Sequence, residues 1–390
     1  NHLGLRGILG IGDWECAEQF TARRIRDTLC LLQPSTIERL NQAIVSAGQQ
    51  LHGQARASVR ADSFVVETNI HYPTESSLIY DGVRKIIPLC VELAAELRES
   101  GWRQAEHLLK KVKYLARNIS RISASKNAHK KEALESLYSD LLDRVHLITE
   151  RAKGLQERAE TNGVSLSSLA NAQQLATWID LTLKVCDTAK RRVLLGETVP
   201  NNEKLFSLFE THTQLYRRGK AGQPNQFGRL FLVFEDAAGF ISHYHLMDRD
   251  FQDADVIVEQ TRIAQRKHGG EIEEASFDRG FHSPDNVEQL EEIVDLACVA
   301  PKHPGQYAQC MREATIEFRA ARKRHSGIES AIGALQSGNG LKRCRDRSEI
   351  GFERYLGLGV LGRNIHVLGK LVIARRNADA LACRTLRGAA

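Results

Sequence analysis

The stretch ASVRADSFVVETNIHY, residues 57–72, decides how the rest of the chain is read. Val59, Ala61, Phe64, Val65, Val66 and Thr68 are strand formers, and the turn residues of YPTES close the run. The pattern predicts a strand that carries an acid, Asp62. Helical periodicity holds on both sides of it. Upstream, WECAEQFTARRIRDTLCLL ends at Gln33-Pro34, and STIERLNQAIVSAG follows with Ser35 and Glu38 at capping-box spacing. Residues 1–52 are thus expected to be an N-terminal helical segment whose helix–turn–helix order suits DNA binding or plain packing.

Downstream, residues 78–225 read as long amphipathic helices, with Gly163 and Gly196 as their clearest breaks. Period two returns at residue 227. FGRLFLVFEDAAGFISHYHLM predicts a hairpin with its turn near Asp236 to Gly239. ADVIVEQTRIAQRKHGG is a helix stopped by glycines, IEEASFDRGF a strand and its exit, and PDNVEQLEEIVDLA a helix. ACVAP is a short buried strand. YAQCMREATIEFRAARKRHSGIESAIGALQSGNG reads as one long helix. FERYLGLGVLGRNIHVLGKLVIARR reads as a last helix with Leu358, Leu361, Ile365, Leu368 and Val372 on its apolar face. The simplest architecture is an α/β fold in which one mixed sheet is interrupted by a helical insertion. Its parts are a core of 53–77 and 226–376, the insertion of 78–225 and a tail of 377–390.

Composition narrows the classes. With 42% hydrophobic residues in 390, the chain can bury a sizeable core and is not a disordered segment. A formal charge of +6 permits a polyanionic partner, and basic residues dominate from residue 311 onward. The 8 cysteines are scattered without a CxxC pair, which argues against a zinc module or a disulfide framework and fits a reducing setting. No uninterrupted apolar run reaches about 18 residues, so no membrane span is expected. His71, His243 and His245 sit in or next to strands, but no further Cys or His completes a zinc spacing. The glycines of GLGVLGRN lie in a helical pattern, without the strand–loop–helix context of a nucleotide loop.

Three acids stand out. Asp62 lies in the first strand and Asp278 at the exit of another, in SFDRGFHSP. Glu329 lies in the helix RKRHSGIESAIGAL, with Arg322, His325 and Gln336 on the same face by helical period. If the two strands are neighbours, the carboxylates converge at one sheet edge. Carboxylates about 4 Å apart repel by on the order of 1 to 4 kcal/mol per pair. A divalent cation relieves that repulsion, and such a site can activate a water or a 3′-hydroxyl in phosphoryl transfer. The competing acids are Glu67, Asp236, Asp248, Glu349 and Glu353. The bland alternative for Asp278 is a turn residue that caps its own backbone.

ADSFVVETNIHYPTES, ASFDRGFHSP and RHSGIESAIGALQSGNGLKRCR with FERYLGLGVLGRNIHVLGKL resemble the sequence blocks of bacterial insertion-sequence DDE transposases near the ISNCY group. The resemblance runs from about residue 20 to 375. It implies an RNase H-like core with a triad of Asp62, Asp278 and Glu329 that holds Mg²⁺, with Mn²⁺ as a substitute. It implies double-stranded DNA as partner, both element ends and target. Cleavage at the ends and strand transfer would follow, by a homo-oligomer on DNA in the bacterial cytoplasm at the nucleoid. Arg279, Arg322, Arg324 and His325 are the expected DNA contacts. Where related transposases place Tyr, Arg and Lys around the third acid, this chain has Arg322, His325 and Gln336, which leaves its contacts to the DNA end open. A DNA-binding remnant without catalysis, and a metal-dependent nuclease on the same fold, are the alternative readings.

Overall fold

The computed structural model describes residues 21–52, 57–125, 129–162, 165–217, 224–301 and 313–388. Its centre is a mixed six-stranded sheet. The strands are β1 (Ser58–Glu67), β2 (Gln214–Tyr216), β3 (Gln226–Asp236), β4 (Ile241–Leu246), β5 (Glu274–Phe277) and β6 (Leu296–Val299). They lie in the order β2-β3-β1-β5-β6, with β4 also on β3. β1, β5 and β6 run parallel, in a register that pairs Arg60 with Ser276 and Ala61 with Phe277. β3 runs the other way along β1. Thr68 N donates to Phe227 O at one end, and Arg60 meets Glu235 at the other. The hairpin and both short strands fall where alternation and turn chemistry put them.

The chain divides into two compact units. One comprises Val65–Phe231 with Met247–Gln252. It holds the helices α3 (Glu75–Glu96), α4 (Ala105–Ser123), α5 (Lys130–Asn162) and α6 (Leu166–Ala189), the last continued by a π-helical turn, Lys190–Leu194. Their apolar faces close on one core that includes Ile79, Ile86, Leu141, Ile148, Leu175 and Ile179, all essentially without exposure. Each such side chain contributes about 1.5 to 3 kcal/mol on leaving water. α3 and α6 cross closely because Gly82 faces Thr182; a Cβ there would lie 2.0 Å from the Thr182 hydroxyl.

The other unit comprises Asn1–Phe64, Leu232–Leu246 and Asp253–Ala390. Its helices are α1 (Ala22–Leu29), α2 (Pro34–Leu51), α7 (Asp253–Lys267), α8 (Pro284–Glu291), α9 (Ile316–His325), α10 (Ile328–Ser337) and α11 (Glu349–Gly388). Helices cover both sheet faces. The hydroxyl of Ser63 meets the Asp253 carboxylate at the start of α7, while α9 packs Phe318 and Ala321 on Cys298 of β6. α11 packs on α2, where Asn364 donates to Asn41 Oδ1 at 2.7 Å and accepts from Ile241 N at 2.9 Å.

Three local expectations are corrected. The second helix begins at Pro34 with Gln33 as its N-cap, and no side-chain cap forms. Proline at N1 presets the backbone, so Ser35 is already helical. The buried stripe of α11 is Phe352, Leu356, Val360 and Asn364, not the row through Leu358 and Ile365; Ile365 is 53% exposed. The polar Asn364 hid that stripe from a purely apolar count. The helix expected from Tyr307 to its end at Gly338 and Gly340 is broken at Ser326–Gly327, and its start lies outside the described residues.

One helix among the described residues, Glu349–Ala378 within α11, is apolar and long enough to cross a membrane, with a mean hydropathy of 1.3. Its first half packs against the protein through the stripe just named, which gives a core helix the same composition.

Candidate functional site on two adjacent parallel strands

Asp62 stands one step beyond the paired Ala61 and Phe277, and so does Asp278. The two acids are therefore level where the β1–β5 pairing ends: Asp278 just past the last residue of β5, and Asp62 in the middle of the longer β1. Alternation puts Arg60 and Asp62 on one face of β1, and Ser276 and Asp278 on the same face of β5. Asp62 is half-buried, and its Oδ1 accepts from Ser63 N at 2.7 Å. Asp278 is exposed. It precedes a 3₁₀ turn, Arg279–Phe281, and only its carbonyl bonds into that turn, accepting from Phe281 N at 3.1 Å; its side chain makes no cap. The turn role for the carboxylate is therefore not taken up.

The third acid follows α9, in the first turn of α10. α9 lies on β5 and β6, and its end is fixed by Arg60, whose Nη1 donates to Arg324 O at 2.9 Å. The chain then passes the guanidinium so closely that a Cβ on Gly327 would sit 2.1 Å from Arg60 Nη1. α10 begins immediately afterward, with Glu329 exposed in its first turn.

His325 sits at the junction. It is half-buried, with Nδ1 3.3 Å from the Ser276 hydroxyl. Burial holds its pKa below the usual imidazole value, and Arg60 pushes the same way. Asp278, the Ser276 backbone and Glu329 act against that shift. The imidazole thus lies within electrostatic reach of the second and third acids.

Beside the two acids is a buried ion cluster that sequence reading missed. Glu235 receives Arg60 Nε at 2.7 Å and Arg363 Nη2 at 2.8 Å. It fixes the guanidinium that in turn positions α9. The available signal was Arg60 two residues before Asp62, on the same strand face.

The remaining expected residues are spread around the site. Arg279 is exposed and has no ionic partner among the described residues. Arg322 lies 3.8 Å from Glu313. Arg324 makes a two-pronged pair with Glu274, its Nε 3.1 Å from Oε1. The break at Gly327 separates Arg322 and His325 from the helix that carries Glu329 and Gln336, so the single helical face expected for them does not exist. Among the rival acids, Asp236 is a turn residue: its carboxylate accepts from Ala238 N and Phe240 N, both at 3.0 Å. His243 is buried against Gln260 and Lys267 and belongs to the core.

The acid set offers only carboxylate oxygens, the donors a hard divalent cation takes. Among the described residues, no group of three or more His, Cys, Asp or Glu side chains is already drawn together at ligand spacing. Comparison with protein families, curated proteins and solved structures finds no match to this chain.

Proposed function

We propose that this chain is an insertion-sequence DNA transposase of the DDE type, acting through Asp62, Asp278 and Glu329. The observation that carries the reading is the level placement of Asp62 and uncapped Asp278 on adjacent parallel strands, with His325 in electrostatic reach of both Asp278 and Glu329. The strand order supports it. Without the short β2, the order β4-β3-β1-β5-β6 is an antiparallel hairpin joined to three parallel strands, with β1 central among the five, which is compatible with an RNase H-like core.

Asp62, Asp278 and Glu329 would hold magnesium, with manganese as a substitute. The cation would supply Lewis-acid activation of an attacking oxygen and charge relief on the leaving one. In the first step, water attacks a phosphodiester at the element end. The P–O3′ bond breaks, and the leaving oxygen takes up a proton to become a free 3′-hydroxyl. In the second, that hydroxyl loses its proton and attacks a target phosphodiester, so one P–O bond forms as another breaks. His325 would sit beside Asp278 and Glu329 and help to shape the site. Arg279 is free to meet a phosphate, whereas Arg324 must first leave Glu274.

The test is cleavage and joining of a labelled duplex of the element's end, with Mg²⁺ and with EDTA. Wild type is run beside Asp62→Asn, Asp278→Asn and Glu329→Gln. Metal-dependent nicking and joining, reduced to background in each variant while duplex binding persists, is the expected result. Binding by wild type without cleavage would identify a DNA-binding remnant. Nicking without joining would identify a nuclease.

A further inference from the structure

We propose that the helical unit carries a separate phosphate-binding pocket, lined by Arg192, Lys204 and Arg217 at the N-terminal end of α3. The cavity measures about 270 Å³ and opens between the first turn of α3, the end of α6 and the segment that leads into β2. Its cationic lining is only partly answered. Arg192 pairs with Glu75. Arg217 is exposed and has no ionic partner among the described residues. Lys204 reaches only the Asn201 amide, at 3.5 Å. Three cations against one carboxylate leave the pocket positive.

Lys204 registers that excess. Burial holds its pKa below the usual lysine value, and Arg192 and Arg217 lower it further. An anion between the three cations would relieve both neighbours' repulsion. The frame is built to hold the charges in place. Arg249 Nη2 donates to the carbonyls of Asn202 and Lys204 at 3.1 and 3.3 Å. Arg191 clamps Glu197 and Glu203 at 2.8 and 2.6 Å. The 22-residue helix α3 points its positive end at the cavity, behind the Thr74–Ser77 capping box. Tyr72, 68% exposed and edge-on to Phe227, gives the rim an apolar surface for a sugar or base beside the phosphate.

The phosphate could come from a DNA strand or from a free nucleotide; the inference rests on the transposase reading only for the first source. The test is calorimetric titration of the full chain with inorganic phosphate, in EDTA so that the acidic site plays no part. The same chain is then titrated with a 5′-phosphorylated single strand, with a duplex and with a mononucleotide. Wild type should bind one phosphate, and Lys204→Ala with Arg217→Ala should weaken it about tenfold or more. Arg217→Gln alone, at an exposed side chain, guards against misfolding and should weaken it in the same direction. Lys131→Gln, on the exposed face of α5, should change nothing. A parallel loss for the oligonucleotides assigns the pocket to nucleic acid, and a loss confined to phosphate and mononucleotide assigns it to a free ligand. Absence of saturable phosphate binding, or equal binding by wild type and the double variant, overturns the proposal. Asp62→Asn should bind phosphate like wild type, so failure of the catalytic reading leaves this result separate.

Discussion

Gly327 is the residue on which the candidate site turns. Its missing side chain lets the backbone pass Arg60, which is held at the same time by Glu235 and by the carbonyl of Arg324. The guanidinium therefore has little freedom to yield. Gly327→Ala should cost about 1 to 3 kcal/mol, the usual range for overpacking. It should cost less in an Arg60→Met background, where the obstructing group is gone. Chemical denaturation of the two single variants and the double variant measures that coupling, and strict additivity would remove Arg60 as the obstacle. The placement of Asp62 inside a strand and of Asp278 at a strand exit was legible from sequence because strand alternation and the turn that follows it are local. Arg60, Glu235 and Arg363 were not, because their meeting depends on which strands are neighbours. Composition does not encode that pairing.

At the scale of elements, the β3–β4 hairpin carries two groups that titrate in opposite senses. Asp236 is buried beneath its turn, and burial raises its pKa from 3.8 to about 6, with Glu235 pushing the same way against the Gln49, Phe240 and Ala238 bonds. The folded state then holds a proton that the unfolded chain has released. Asp236 favours folding fully below pH about 4, and that advantage is lost as pH rises through about 6. The full effect is on the order of 3 kcal/mol. Asp236→Asn should flatten the wild-type decline between those pH values. His243, on β4, has the reverse sign. Burial first, and then the Lys267 ammonium, drive its pKa from 6.5 to about 3. Lys267 Nζ lies 3.0 Å from Nδ1, so that nitrogen accepts, and Nε2 carries the proton toward Gln260 Oε1 at 2.9 Å. The unfolded chain takes up a proton below about pH 6.5 that the folded one refuses, so stability from this group is lost as pH falls toward 3. His243→Gln should lessen that acid sensitivity. Unfolding free energies of the two variants between pH 3 and 8 separate the contributions, and parallel curves for either variant and wild type would refute the assignment for that residue.

Elements were readable where one period dominated: the hairpin, the glycine-stopped α7 and the long helices α3 to α6. The break between α9 and α10 was not, since Ser326 and Gly327 are tolerable within a helix and only Arg60 makes a continuous one impossible. On the proposed reading the consequence reaches the site, because the break separates Glu329 from the arginines of α9. Asn364 makes the same point in α11. Asn364→Ala should cost about 1 to 3 kcal/mol, because it strands the buried Ile241 N and Asn41 Oδ1. A thermal midpoint equal to wild type would show that water replaces those bonds.

Over the whole molecule, the excess of basic residues looked in sequence like one broad DNA-facing surface beyond residue 311. The structure divides that set. Arg322, Arg324, Arg354 and Arg363 are ion-paired, with Glu313, Glu274, Asp346 and Glu235 respectively. Arg319, Lys323, Lys342, Arg347 and Lys370 are exposed and have no carboxylate partner among the described residues. On the proposed reading, only the second group is ready to replace counterions on DNA. Binding to duplex should weaken with salt along a slope of about −0.9 per phosphate contacted, so each lost contact lowers the slope by nearly one. Arg347→Gln or Lys342→Gln should each reduce it by about that amount. Arg324→Gln should leave it near wild type, because the charge is already spent on Glu274 and releasing it would oppose the gain from phosphate. Fluorescence anisotropy over a series of salt concentrations gives the slopes directly. A loss for Arg324→Gln as large as for Arg347→Gln would mean that the Glu274 pair opens on DNA, which would place the end of α9, and His325 with it, against the phosphate backbone.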